Sequence, residues 1–65
     1  MKIKLLKLKD VLAITGLSRS YVYALAQQGI FPKPVKLSER ASAWIEAEIE
    51  AWIEGRVALR DQEAA

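Results

Sequence analysis

The stretch TGLSRSYVYALAQQG, Thr15 to Gly29, packs Ser18, Arg19, Ser20, Tyr21, Tyr23, Gln27 and Gln28 into one short segment bracketed by glycines. Arginine offers a forked guanidinium to guanine, glutamine pairs with adenine, and serine serves phosphate or a base edge. Amides freed at a helix N-terminus attract phosphate. Tyr21 and Tyr23 can each donate a hydroxyl to phosphate. Lys33, Lys36 and Arg40 follow closely. Cations of this kind displace counterions from a nucleic-acid backbone, so their contribution fades as salt rises. Together these groups suit a surface that reads duplex DNA.

The same sequence is poor in groups that break bonds. It contains no histidine and no cysteine. That removes the commonest general base, the commonest neutral metal ligand and any thiolate zinc site. The carboxylates crowd at Glu46, Glu48, Glu50 and Glu54. Residues two apart on a helix point in different directions, so these acids read as a solvated face and not a cluster. No catalytic residue, metal site or cofactor is expected.

Size and charge narrow the possibilities further. A chain of 65 residues makes one domain, and one of about this size buries only about 60% of the surface its unfolded chain exposes. The core must be small, with no room for a deep substrate pocket. The net charge of +2 hides an asymmetry: residues 1–40 hold eight Lys and Arg against Asp10 and Glu39, while residues 41–65 hold Arg56 and Arg60 against six acids. A basic front and an acidic back suit a protein with one side turned to a polyanion. Uneven solubilising charge gives the same totals. The opening MKIKLLKLKD interrupts its apolar residues with lysine, unlike a signal peptide, and no run approaches the roughly 20 apolar residues that span a bilayer. The expectation is a soluble, cytoplasmic protein without membrane contact, in keeping with the absence of disulfides.

The candidate surface needs elements to hold it. Lys2 to Leu6 alternates lysine with Ile3 and Leu5, a period-2 pattern that predicts a short half-buried edge strand or arm. Leu8, Val11, Leu12 and Thr15 predict a first helix, weakly capped at its start and closed by Gly16. Ser18 is a good N-cap for a second helix from Arg19 to about Gln28, with Val22, Leu25 and Ala26 inward and Gly29 as the stop. Pro32 and Pro34 then forbid helix. Val35 to Leu37, the turn Ser38 to Arg40 and the return strand Ala41 to Trp44 predict a β-hairpin. Ile45, Ile49, Trp52, Ile53 and Val57 predict a third, amphipathic helix over Glu46 to Arg60, weakened by Gly55, with a frayed tail over 61–65.

Helix, short turn with glycine and helix is the helix-turn-helix layout. Leu12, Leu17, Val22 and Leu25 would lock the pair, leaving Arg19, Ser20, Tyr21, Ala24, Gln27 and Gln28 outward. An ordinary helical hairpin with a polar face shares that layout, but the basic hairpin beside it reads as a wing. Val35 and Leu37 are expected to cover the core, and Lys36 and Arg40 to contact DNA. Tyr23 is expected to be half-buried. The fold class that follows is mainly α with a small β-hairpin, a winged helix-turn-helix. The competing class is a protein-interaction module that docks a partner through Trp44, Trp52 and the acidic last helix. No apolar heptad run is long enough for a coiled coil, which predicts a monomer able to assemble cooperatively on adjacent DNA sites.

The stretch LKDVLAITGLSRSYVYALAQQGIFPKPVKLSERASAWIEAEIEAWIEGR carries a resemblance. Through TGLSRS, GIFPKPVKL and AWIEAEIEAWI, in that order and spacing, the chain resembles the AlpA-type phage regulatory proteins, a branch of the small MerR-like winged helix-turn-helix domains. The match covers roughly Leu8 to Arg60. It implies a bacterial, nucleoid-associated protein of a prophage or integrated element that binds double-stranded DNA. Such a protein would regulate transcription of an integrase gene, act as an excisionase that bends DNA for a tyrosine integrase, or both. The resemblance places DNA contacts on the helix opening Ser18-Arg19-Ser20 and on the wing from Lys33 to Arg40. It also marks Ala24, where relatives often carry a basic residue.

Overall fold

The computed structural model describes residues 2–64. The elements run β1 (Leu5–Leu6), α1 (Leu8–Thr15), α2 (Arg19–Gln27), β2 (Val35–Ser38), β3 (Ala41–Ile45) and α3 (Glu46–Ala64). The three strands form one antiparallel sheet in the order β1-β3-β2. With two helices joined by a three-residue turn and a hairpin beside them, the fold is a winged helix-turn-helix.

Local chemistry sets the helix ends. The backbone N–H of Lys7 donates to Asp10 Oδ2 at 3.3 Å, so the acid in the first turn of α1 reaches back to fix a start that lacks a good cap residue. Gly16 ends α1 in the left-handed region, φ 72°, with its N–H donating to the Leu12 carbonyl at 2.8 Å. Ser18 Oγ accepts the Tyr21 N–H at 3.2 Å and caps α2. After α2, Gly29 takes φ 78° and turns the chain toward the wing.

Leu6, Val11, Val22, Ala26, Phe31, Trp44 and Ile49 form the buried core, with Leu8, Leu12, Leu17, Leu25, Trp52 and Ile53 packed partly against it. Each large side chain so enclosed contributes roughly 1.5–3 kcal/mol relative to exposure. The helix-turn-helix lock is Val22, which is fully buried, with Leu12, Leu17 and Leu25 half-buried around it. Trp44 is fully enclosed, and its indole N–H donates to the Pro32 carbonyl at 3.0 Å. Burying a tryptophan requires such a partner.

Four expectations are corrected. The β1 alternation is out by one residue: Leu6 points into the core, while Ile3 and Leu5 are exposed. Pairing Leu6 with Trp44 sets that register and brings Leu6 into the ordered core. Val35 and Leu37 do not cover the core; they are 37% and 55% exposed, and the hairpin's covering residues are Ala43 and Trp44 on β3. The return strand extends to Ile45, where β3 passes directly into α3. Finally, α3 does not stop at Arg60 but stays helical through Ala64, where Asp61 pairs with Arg60 at 3.0 Å; Ala65 lies outside the described residues.

Candidate nucleic-acid interface

The site is built on α2. Its buried residues, Val22 and Ala26, fix the rotation of the helix. Helical spacing then puts Ser20, Ala24 and Gln27 on the opposite face. Tyr23 flanks that face on one side and Tyr21 on the other, while Arg19, three residues before Val22, stands in the first turn beside the buried stripe. Ser18, Arg19, Ser20, Tyr21, Tyr23, Ala24 and Gln27 are all exposed. The Ser18 hydroxyl is engaged as the cap of α2.

The two tyrosines part company. Tyr23, Ala26, Gln27, Lys33 and Pro34 line a shallow groove between α2 and the root of the wing. Tyr23 is partly covered, as the sequence pattern suggests: it is 39% exposed, and its ring stands edge-on to Trp44 with centroids 5.9 Å apart. That contact holds it toward the wing. Tyr21 instead lines a groove with Leu17, Leu25, Ile30, Trp52 and Arg56, on the α3 side of α2. The structure thus brings Tyr23, Gln27 and Lys33 together and sets Tyr21 apart from them.

Lys36 lies on β2, and Arg40 lies in the two-residue turn, both exposed. The Arg40 N–H donates to Ser38 Oγ at 3.4 Å, which steadies the turn. Among the described residues, Arg19, Lys33, Lys36 and Arg40 form no ion pair; the pairs present are Lys4 with Glu46 and Arg60 with Asp61. The four cations around α2 and the wing therefore have no acidic partner among the described residues.

The wing is anchored from below. Trp44 bonds the Pro32 carbonyl, Trp52 donates its indole N–H to the Ile30 carbonyl at 2.8 Å, and Phe31 packs edge-on to Trp52 at 4.8 Å. The segment from Ile30 to Pro32, between α2 and the wing, is thus held by both tryptophans. Phe31 had no signal in the sequence, because it stands in a proline-flanked segment without periodicity. Trp44 is fully buried, so it cannot dock a partner as an interaction module would require. No described helix is long and apolar enough to cross a membrane.

These features define the class, a small winged helix-turn-helix protein with exposed cations around α2 and the wing. The family described as prophage CP4-57 regulatory protein (AlpA) matches residues 4–57. A phage P4 protein, uncharacterized protein ORF88, is 40% identical over 57 residues, which is 88% of this chain. The chain spans 65% of the length of that relative. This chain belongs to the AlpA family of prophage regulatory proteins.

Proposed function

We propose that the chain is a sequence-specific double-stranded DNA-binding protein of a prophage or integrated element, acting as transcriptional regulator, excisionase or both. The carrying observation is the meeting of Tyr23, Gln27 and Lys33 in one groove, where the exposed face of α2 adjoins the wing root. Arg19 and Ser20 would face base edges in the major groove, with Tyr21 at the margin of that contact. Tyr23 and Lys33 would hold phosphate beside it, and Lys36 and Arg40 would anchor the wing. Ser18 and the amides it leaves free at the start of α2 would meet a phosphate, and the small Ala24 would let the helix approach closely.

A duplex of random sequence, labelled at one end, tests this. If Lys33, Lys36 and Arg40 each neutralise one phosphate, affinity should fall by about 40-fold between 50 and 200 mM salt. A second reading draws on another place. Ile14, Trp52, Ile53 and Val57 line a groove between α1 and α3, with Arg56 and Arg60 at its rim. That groove would suit a protein partner such as an integrase. Weak duplex binding that hardly changes with salt would favour this reading and reject the first.

A further inference from the structure

The tip of the wing departs from a regular hairpin. Val35 pairs with Ala43 and Lys36 with Ser42, but Ser38 pairs with Ala41. Over that step β2 holds one residue more than β3, and Leu37 is the extra residue. It is 55% exposed. Lys36 precedes it and Arg40 closes the turn; Glu39 is the one acid from Lys33 to Arg40.

A bulge here has two structural uses. The turn Glu39-Arg40 lacks glycine, and among the described residues no non-glycine residue has positive φ, so the usual left-handed hairpin turn is absent. The bulge supplies the missing twist. It also blunts the free edge of β2 against pairing with other strands. Both uses would be served by serine or lysine at the bulge. Neither explains a large apolar side chain held out in water between two cations.

Proteins that deform the minor groove insert such side chains between neighbouring base pairs. We propose that Leu37 is a wedge: it enters the minor groove, parts one base step and kinks the duplex, while Lys36 and Arg40 hold the phosphates on either side. This rests on the chain being a duplex-binding protein. The substrate feature it selects is deformability, so flexible TpA or CpA steps are preferred over stiff A-tracts.

The test uses the whole chain and a 30-base-pair duplex with a central TpA step, a dye at each end and 2-aminopurine at that step. Wild-type protein should raise both energy transfer and 2-aminopurine fluorescence. It should also bind the duplex about tenfold tighter when a T·T mismatch replaces the step, because the mismatch lowers the cost of opening it. Leu37→Ala should bind with the same salt dependence but lose all three effects, and Leu37→Phe should restore them. If Leu37→Ala bends and unstacks the duplex as wild type does, or if bound wild-type protein leaves the duplex straight and stacked, the wedge is overturned while duplex binding stands. If wild-type protein binds no duplex, the proposed function fails and the wedge with it.

Discussion

The indole N–H of Trp52 on α3 donates to the carbonyl of Ile30 at 2.8 Å, across 22 residues of sequence. That bond ties the supporting helix to the first residues of the path from α2 to the wing. Trp52→Phe would keep an aromatic ring beside Phe31 and remove the donor. The carbonyl is near water, so the loss should be about 1 kcal/mol. Trp52→Ala would also remove the edge-on packing on Phe31 and should cost about 2 kcal/mol or more. Urea unfolding followed by circular dichroism measures both. Equal stability of the two variants would mean that packing on Phe31 contributes nothing.

Glycine matters at some positions and is a weakness at another. Gly55 lies inside α3, and a methyl group built there meets nothing within 4 Å. Gly55→Ala should therefore stabilise the protein by about 0.5–1 kcal/mol through helix propensity and a less free unfolded chain. Gly16 also has open space, but its φ of 72° lies in the left-handed region. Gly16→Ala should destabilise by about 1 kcal/mol from backbone strain alone. Thermal melts should move in opposite directions for the two variants.

The parts of this fold legible in the sequence were those with a local cause. Leu8, Val11, Leu12 and Thr15 placed α1, and Ser18 placed the start of α2 at Arg19, because capping and helical spacing act within a few residues. The burial of Phe31 and Leu6 was not legible. Each is decided by a distant partner, Trp52 for Phe31 and Trp44 for Leu6. The exposed Leu37 was misread for the same reason, since strand alternation assumes a regular ladder and the bulge breaks it. At the candidate site, residue types pointed to the exposed polar and basic side chains of α2 and the wing. The separation of Tyr21 from Tyr23 needed α3 and the wing to be in place, because those elements form the opposing walls of the two grooves.

Ser18 caps α2 from the proposed DNA side, and two substitutions separate these roles. Ser18→Ala removes the acceptor for the Tyr21 N–H and should lower stability by about 1 kcal/mol. Ser18→Asp keeps an acceptor and complements the helix dipole, so its melting temperature should match or exceed wild type. A carboxylate at that point would repel phosphate, so Ser18→Asp should bind duplex DNA more weakly while remaining fully folded. Undiminished duplex binding by Ser18→Asp would place the start of α2 away from the backbone.

Arg19 and Lys36 should fail in different ways. Both are exposed and free of ion pairs among the described residues, so replacing either should leave the fold intact. Arg19 stands at the first turn of α2, where a guanidinium can reach a base edge. Arg19→Ala should cost about 1–3 kcal/mol on a preferred site and much less on random duplex, relaxing discrimination between them. Lys36 stands on the wing, where the proposed function would have it meet phosphate. Lys36→Ala should weaken binding to all duplexes alike and reduce the slope of log affinity against log salt by about 1. A preferred site chosen by selection from random duplexes, followed by salt titrations of both variants on that site and on random DNA, separates the two effects. If Arg19→Ala lowers affinity uniformly and leaves discrimination unchanged, Arg19 is a phosphate contact and base reading must lie with Ser20, Gln27 or Tyr21.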